Sequence, residues 1–299
     1  MNVFVIIVTY NGRYWYDKCF SSLRESSVPV TTVVVDNAST DGSVPYLREH
    51  FPEVVILESK ENLGFGKANN IGMRYALDHG CDFVFLLNQD TWIETDSIMG
   101  LIRIHQSYPG YGILSPMHLK ADGRSLYIQI EDGNTDHGNK FLSDCYFGTL
   151  EDVYTFTYVN AAAWLLPRVT LEKVGGFDPM FIHYGEDDDY LNRIRYHGLK
   201  LGLCPKSQIV HDHQASVNPL VNSRLRRYQT LLVRFLDLNR KPTLDGYLRH
   251  TFSQIVKAYV RLDFNKAREK RDEYCFFRSR RKDIIRHRKI NSQNNASWL

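Results

Sequence analysis

The sequence predicts an α/β fold with a mostly parallel central sheet flanked by helices and a helical C-terminal extension. Short apolar runs alternate with helix-like patterns through the first half of the chain, as in a parallel sheet joined by crossover helices. Several of these runs end in polar residues, which is typical of strands that line a ligand-binding crevice. Charge and pattern both change near residue 219, so we expect one domain at 1–218 and a basic helical region at 219–299.

The first hundred residues carry the clearest predicted elements. The predicted strands are Val3–Thr9, Thr32–Asp36, Val54–Glu58 and Asp82–Leu87. The predicted helices are Arg13–Ser26, one after Ser43, Lys67–His79 and Asp96–Gln106. A Ser27-Val28-Pro29 break ends the first helix, and Gly80 is placed to form a C-cap.

The second half of the chain is less regular, with short strands and polar turns from Pro116 to Tyr158. Val159–Leu166 is apolar enough to be buried, and a helix is expected at Tyr190–His197. Gln208–Val210 has the composition of a strand. The last eighty residues are predicted to be mainly helical.

The composition indicates a folded protein, because 43% of the 299 residues are hydrophobic and 13% are aromatic. The five cysteines are scattered and never form a Cys-x-x-Cys pair, which indicates reduced thiols in a cytoplasm. The N-terminal apolar run has only a strand's length, and no stretch approaches the ~20 apolar residues of a spanning helix. We therefore expect a cytoplasmic protein that could also lie on the inner face of the membrane.

The two parts of the chain carry opposite charge. Residues 1–219 hold 17 Lys and Arg against 27 Asp and Glu, whereas residues 220–299 hold 20 against 7. The basic region therefore has either the acidic domain or an anionic membrane surface as its expected partner, and the sequence favours neither. Nucleic acid is not an expected partner, because no recognition motif accompanies the charge.

Polar residues follow three of the predicted strands, as Thr9-Tyr10-Asn11, Asp36-Asn37 and Asn88-Gln89-Asp90. Neither the glycine fingerprint of a dinucleotide site nor a P-loop is present in the sequence, which disfavours both enzyme classes. Asp36 could accept hydrogen bonds from a base or ribose, or could instead cap the following turn. Asp90 could likewise be a metal ligand or a helix cap.

Two further clusters could carry chemistry. The successive carboxylates Glu186 to Asp189 would repel one another unless a cation or raised pKa values relieved them, although a helix N-terminus would also favour acidic residues. His211 and His213 follow a predicted strand on one face. Imidazole is a frequent ligand of transition metals, but lone histidines are more often structural.

Taken together, these segments resemble the family 2 glycosyltransferases, which have the GT-A fold, from residue 3 to about residue 216. The motifs that carry the resemblance are, in order, residues 6–11 (IIVTYN), 34–43 (VVDNASTDGS), 62–70 (NLGFGKANN), 86–90 (LLNQD), 176–178 (GFD), 186–189 (EDDD), and His211 followed by Ser216. The subgroup to which they are most similar includes rhamnosyltransferases.

The resemblance implies a role for each matching residue. Thr9 and Asp36 would contact the nucleotide, with Asp36 on the base, and Lys67 and Asn70 would lie near ribose or diphosphate. The other residues implied in donor binding are Tyr10, Asn11, Asn37, Gly64, Asn88, Gln89 and Asp90.

The metal motif of the family is Asp-x-Asp in its full form, and here Asn88 replaces the first carboxylate. Only Asp90 could then be a carboxylate ligand, and His211 would complete the site. Asp187, next to Glu186, matches the catalytic base.

The implied reaction is inverting transfer of a sugar from a nucleotide-diphosphate donor, with UDP or dTDP as the nucleotide, to a hydroxyl of a glycan or lipid-linked acceptor. The cofactor would be a divalent cation, Mn²⁺ or Mg²⁺. Such a reaction belongs to the synthesis of cell-surface polysaccharides or glycans. The alternative left open by Asn88 is a catalytically inactive nucleotide-sugar-binding or scaffold protein on the same fold. A nucleotidyltransferase ranks last, because the glycine-rich basic loop expected after the first strand is missing.

Overall fold

A computed structural model describes residues 1–126, 140–182, 184–212, 223–241, 243–295 and 297–299. The chain forms two compact units. The first comprises Met1–Val217 together with Asn294–Leu299, and the second comprises Asn218–Gln293. The last six residues join the first unit because the Gly176 amide donates to the Ser297 carbonyl (2.8 Å) and Leu299 packs against the apolar core.

The first unit is an α/β structure, as the sequence predicts. Its strands are β1 (Val3–Thr9), β2 (Val30–Asp36), β3 (Val55–Glu58), β4 (Phe83–Asn88), β5 (Thr91–Ile93), β6 (Tyr111–Lys120), β7 (Tyr154–Phe156), β8 (Ala163–Pro167) and β9 (Lys200–His211). Its helices are α1 (Tyr16–Arg24), α2 (Ser43–His50), α3 (Phe65–Asp78), α4 (Ser97–Ser107), α5 (Phe141–Phe147), α6 (Arg168–Val174) and α7 (Glu186–Tyr196).

The strands form one sheet in the order β3-β2-β1-β4-β8-β6-β9-β5, and β7 also pairs with β9. The ladder β3-β2-β1-β4 and the pair β6-β9 are parallel, whereas the remaining pairs are antiparallel. The sheet is therefore mixed, which differs from the mostly parallel arrangement predicted. Only two residues separate the end of β4 from the start of β5. That connection is too short for a crossover to a parallel neighbour, so β5 pairs with β9 instead.

Helices cover both faces of the sheet because alternate strand residues point to opposite sides. In β1, Val5 and Ile7 belong to the core layer that also contains residues of α1 and α4. Phe4 and Ile6 belong to the layer that contains residues of α3 and α7. Each fully buried aliphatic side chain contributes about 1.5–3 kcal/mol.

The register of the strands brings their polar ends together. Thr9 pairs with Asp36 across β1 and β2, and Val8 pairs with Asn88 across β1 and β4. β8 runs antiparallel to β4, with Ala163 opposite Leu87. The segment that precedes β8 therefore lies at the same edge of the sheet as the ends of β1, β2 and β4.

Two helices begin three or more residues away from the predicted start. The helix predicted from Arg13 opens as a short 3-10 turn, Arg13–Trp15, before α1 starts. α7 begins at Glu186 rather than Tyr190, so the four carboxylates form its first turn. Negative charge is favourable there because the exposed amides carry the positive end of the helix dipole.

The second unit is helical, as predicted, and consists of α8 (Ser223–Leu236), α9 (Leu244–Val260) and α10 (Phe264–Asn291). Its apolar core includes Phe235 and Phe277, whose rings meet edge to face at 5.2 Å. Glu273 is buried beside this core and pairs with Arg227 at 2.6 Å and Lys270 at 3.3 Å. Within the described residues, no helix of either unit is long and apolar enough to cross a membrane.

Candidate active site

The ends of β1 and β2 are joined by a buried carboxylate. The Thr9 hydroxyl donates to Asp36 Oδ1 (3.2 Å), and the Ser39 amide donates to Asp36 Oδ2 (3.0 Å). Asp36 therefore fixes the turn after β2, which is the structural role considered for it. Contact with a nucleotide base would come in addition to these two bonds.

The loops after β1 and β2 hold each other in strained conformations. Asn11 and Ala38 have left-handed backbones, with φ of 50° and 63°. The Asn11 amide donates to Ser39 Oγ (3.0 Å), and Asn11 Oδ1 accepts from the Thr40 amide (2.8 Å). Left-handed non-glycine residues cost of order 1–3 kcal/mol each and cluster at functional sites. The strain is therefore consistent with a ligand-binding role for this edge.

Asn37 connects the β2 end to the start of α3. Its Nδ2 donates to the Gly64 carbonyl (3.3 Å), and its Oδ1 accepts from the Leu63 amide (3.2 Å). Lys67 lies half-buried in the first turn of α3. The loop and helix start that carry Gly64 and Lys67 are thereby fixed at the sheet edge.

Asn70 has a structural role that sequence reasoning missed. Its amide nitrogen donates to the Phe177 carbonyl (2.8 Å), and its oxygen accepts from the Phe177 amide (2.7 Å). Asn70 thus ties α3 to the loop before α7. Any contribution of Asn70 to donor binding would act through this loop, because both ends of its amide are engaged there.

Gln89 closes the edge between β1 and β4. Its Oε1 accepts from the Tyr10 amide (3.0 Å), and its Nε2 donates to the Tyr10 carbonyl (3.3 Å). A Cβ added to Gly12 would lie 2.0 Å from Gln89 Oε1, so a larger residue would displace the Gln89 side chain from Tyr10. The backbone amide of Asn88 donates to the Ala162 carbonyl (2.9 Å) and so fixes Asn88 in place.

Asp90 and His211 are brought side by side by the pairing of β5 with β9, in which Thr91 lies opposite His211. Asp90 Oδ1 and His211 Nε2 are 3.4 Å apart, and His211 is buried. His213, the other histidine of the predicted cluster, lies outside the described residues. The buried His118 ring is 6.3 Å from the His211 ring, and burial lowers the pKa of His118 to about 3.

The donor set of this pair suits a divalent cation that also binds a substrate. Among the described residues, no group of three or more His, Cys, Asp or Glu side chains could hold a metal ion. One carboxylate and one imidazole leave most coordination positions for other oxygens, as in sites where substrate phosphates complete the shell. The residues present therefore fit a cation bound together with a diphosphate.

The acidic turn of α7 divides into an inward and an outward part. Asp189 pairs with Arg193 at 3.0 Å, and both side chains are only 1% exposed. Arg193 also donates to the carbonyls of Val174 (2.9 Å) and Gly176 (2.6 Å). Asp189 is therefore structural, because it neutralises a buried arginine that anchors α7 to the preceding loop.

The other three carboxylates have raised pKa values. Burial, with the charges of Asp187 and Asp188, raises the pKa of Glu186 to about 7. Burial and then the charge of Asp187 raise the pKa of Asp188 to about 6. Burial also raises the pKa of Asp187, although hydrogen bonds from the Asp188 amide and the Tyr158 side chain partly oppose this. The raised pKa values mean that these carboxyl groups bind protons more readily, which relieves the repulsion between the carboxylates that the sequence predicts.

α3 and α7 approach closely at Gly66, where an added Cβ would lie 3.0 Å from the Phe177 Cβ and 3.5 Å from the Glu186 Cβ. Below them, the ring of Phe177 packs on those of Trp164 and Tyr190. The Gly64-Phe65-Gly66 segment belongs to the motif at residues 62–70. In the folded chain, the absence of a side chain at Gly66 allows the acidic turn to pack next to the start of α3.

The acidic turn and the end of β4 share one edge of the sheet. The Asp187 carboxylate is hydrogen-bonded to the Tyr158 side chain. Tyr158 lies four residues before Ala162, whose carbonyl accepts a hydrogen bond from the Asn88 backbone amide. Asp187 is thus connected through a short chain segment to the strand end that precedes Asp90. This edge carries a carboxylate of raised proton affinity and a pair of potential cation ligands.

Comparison with known proteins gives consistent matches. The family model for Glycosyl transferase family 2 matches residues 4–157. The low-salt glycan biosynthesis hexosyltransferase Agl10 of Haloferax volcanii is 26% identical over 271 residues, which cover 88% of this chain and 85% of Agl10. The N-acetylglucosaminyl-diphospho-decaprenol L-rhamnosyltransferase of Mycobacterium tuberculosis is 27% identical over 233 residues, 71% of this chain and 76% of that protein. The mannosyltransferase PcManGT from Pyrobaculum calidifontis, in complex with GDP-Man and Mn²⁺, has a TM-score of 0.56 at 21% identity, with 80% of this chain and 64% of PcManGT covered.

Proposed function

Because this chain belongs to glycosyl transferase family 2 and has the GT-A fold, we propose that it transfers a hexose, with inversion, from a nucleotide-diphosphate sugar to an acceptor hydroxyl. Transfer of this kind serves glycan or polysaccharide synthesis. The observation that carries the proposal is the joint presence, at one sheet edge, of the Asp90–His211 pair and the Asp187 carboxylate. The presence of these side chains favours an enzyme over the inactive scaffold considered as the alternative.

The donor is proposed to lie along the ends of β1, β2 and β4. Thr9, Asp36 and the strained loop at Asn11 would receive the nucleotide, and Lys67 would approach the diphosphate. A divalent cation at Asp90 and His211 would neutralise the charge that develops on the leaving diphosphate. PcManGT was solved with Mn²⁺, which supports this cofactor for the present chain.

Asp187 is the better general base of the two adjacent carboxylates. Glu186 is buried, and with a pKa of about 7 it is about half protonated at neutral pH. Asp187 is only half-buried, and its bonds from Tyr158 and the Asp188 amide stabilise the ionised form. An ionised Asp187 can accept the acceptor's hydroxyl proton while the diphosphate departs from the opposite face of the sugar. Displacement in line inverts the anomeric carbon.

The substrates are proposed from the relatives. The M. tuberculosis relative is named for L-rhamnose transfer to a diphospho-decaprenol acceptor, which supports a rhamnose-like sugar and a lipid-linked acceptor here. UDP and dTDP remain the proposed nucleotides. A panel of UDP-, dTDP- and GDP-sugars, tested for Mn²⁺-dependent thermal stabilisation, identifies the donor because a ligand that binds the folded state raises the melting temperature.

Asp187→Asn tests the proposed base. We expect turnover to fall by about 10²–10⁴-fold while donor affinity stays nearly unchanged, because the base acts only in the transition state. Asp188→Asn, on the adjacent carboxylate at the more exposed side of the same turn, is the matched control and should retain turnover. Wild-type turnover in Asp187→Asn would show that another group accepts the proton.

Asp90→Ala tests the cation site. The variant should lose the difference in donor affinity measured with and without Mn²⁺, since the carboxylate ligand is gone. An unchanged pair of titrations would refute the role of Asp90. Nuclear magnetic resonance of the product, which reports the anomeric configuration directly, tests inversion separately.

A further inference from the structure

α9 carries two apolar stripes, and only one of them packs in the core of the second unit. The buried stripe consists of Leu244, Leu248, Ile255 and Ala258, together with the buried Thr251. The exposed stripe consists of Phe252, Val256, Tyr259 and Val260. Each of the first three exposed residues follows a core-facing residue by one position, so this stripe lies about 100° around the helix from the core. α9 is thus more apolar than its packing requires.

The exposed stripe continues into the turn between α9 and α10. Val260, Leu262 and Phe264 are 78%, 73% and 62% exposed. Leu262 has a left-handed backbone with φ of 56°, a conformation that favours glycine. A leucine at this position combines backbone strain with exposure of a large apolar side chain. Burial of the Leu262 side chain against a binding partner would offset both costs.

A basic groove adjoins the stripe between α9 and α10. The cavity has a volume of about 950 Å³ and is lined by Asp245, Leu248, Arg249, Phe252, Tyr274, Arg278, Arg281 and Lys282. Its single carboxylate, Asp245, is engaged by Arg281 at 2.7 Å. The lining therefore keeps a net positive charge. Phe252 belongs to both the groove and the exposed stripe, so the two features are continuous.

The charge of the whole hairpin complements an anionic surface. Residues 244–291 contain 14 Lys and Arg against 6 Asp and Glu. Lys257, Arg261 and Lys266 are exposed around the apolar turn. Apolar side chains ringed by lysine and arginine are characteristic of segments that lie in the interface of an anionic bilayer.

We propose that the α9–α10 hairpin docks on an anionic lipid bilayer. Val260, Leu262 and Phe264 enter the boundary between headgroups and acyl chains, which interfacial segments reach at a depth of about 5–10 Å. Phe252 and Val260 are separated by about 12 Å along the helix, so the basic groove beside Phe252 meets lipid phosphates at the surface. The competing occupant of the stripe is a second copy of this chain. The inference concerns lipid binding and holds whether or not the proposed transfer reaction is correct.

Vesicle binding of the full chain tests the proposal without any assay of transfer. The wild-type protein is floated with two kinds of vesicle. One is phosphatidylcholine with about 30% phosphatidylglycerol, a physiological anionic fraction, and the other is pure phosphatidylcholine. Leu262→Asp/Phe264→Asp should lower the partition coefficient by about tenfold or more, because two apolar side chains no longer enter the bilayer. Leu142→Asp/Val169→Asp, on exposed apolar residues of the first unit, adds the same charge and should bind as wild type.

The groove and the turn are probed by two further variants. Arg249→Gln/Lys282→Gln should weaken binding to the anionic vesicles and leave the weak binding to pure phosphatidylcholine unchanged. Phe264→Trp should show fluorescence quenched by bromine-labelled lipid, which reports insertion even if another variant misfolds.

Three results would overturn the proposal. One is that the wild-type chain binds neither vesicle. Another is that the variants at Leu262 and Phe264 bind like the control pair. The third is that these variants change only self-association, measured by sedimentation velocity without lipid, which would assign the stripe to a second copy of the chain.

Discussion

Glu186→Gln should make the protein more stable at alkaline pH. Glu186 is 8% exposed, and burial raises the pKa of its carboxyl from 4.5 to about 7. A folded-state pKa above the unfolded one means that stability is fully present below pH 4.5 and is lost as the pH rises through about 7. At ~1.4 kcal/mol per pH unit, the full loss is about 3 kcal/mol. Glutamine does not ionise, so the variant avoids this loss of stability.

Urea unfolding at two pH values measures this effect. The variant should be more stable than wild type by about 3 kcal/mol at pH 8, but by only about 1 kcal/mol at pH 5, where most of the loss has not yet developed. Tryptophan fluorescence reports on the relevant unit, since every tryptophan belongs to the first one. These residues are Trp15, Trp92, Trp164 and Trp298.

Glu61→Gln, on an exposed residue, is the control and should change stability little at either pH. The reasoning fails if Glu186→Gln is no more stable than wild type at pH 8, or if its advantage is the same at both pH values. Retention of a destabilising carboxyl beside Asp187 would fit a functional site, because stability is often lost where activity needs buried polar groups.

Three other variants test the architecture around the site and in the second unit. Asp189→Asn should cost about 3–5 kcal/mol in urea unfolding, because Arg193 would keep a buried charge without its carboxylate. Glu273→Gln should cost less, about 1–3 kcal/mol, because Arg227 is 45% exposed and keeps Glu269 as a partner. The loss should be seen as faster hydrogen exchange of the amides of α8 to α10. Gly12→Ala should cost about 1–2 kcal/mol and weaken donor binding, since the added methyl group displaces Gln89 from Tyr10.

Each of these expectations has a contrary result. Full stability of Asp189→Asn would mean that Arg193 is satisfied by its two carbonyl acceptors alone. Unchanged exchange in Glu273→Gln would remove the buried network from the stability of the second unit. Gly110→Ala, where an added Cβ meets open space, is the control for Gly12→Ala, and equal behaviour of the two would exclude a specific contact with Gln89.

Local patterns predicted much of the fold. The strand predicted at Val3–Thr9 has the observed bounds, and the predicted C-terminal ends of β2 and β4 differ from the observed ones by at most one residue. These segments are apolar runs with polar ends, and that pattern is contained in the strand itself. The family predicted from the ordered motifs is confirmed by the match of residues 4–157.

The acidic turn was harder to interpret from sequence. A helix that starts at Tyr190, as the sequence predicts, leaves the four carboxylates outside the helical periodicity. With α7 starting at Glu186, positions 186, 189 and 193 share an inward face, which separates the structural Asp189 from the outward Asp187. The sequence predicted a cluster of four carboxylates, but it could not show which of them pack in the core and which are available for chemistry.

The amino-acid sequence by itself determined the α/β class, the family and the residue types available at the strand ends, because these depend on neighbouring positions. The tertiary structure alone decided which of them meet. Asp90 and His211 lie 3.4 Å apart only because β5 pairs with β9 across about 120 residues of chain, and Asn70 reaches Phe177 only because Gly66 lets α3 approach α7. Such contacts are set by strand register and helix packing, which no local pattern contains.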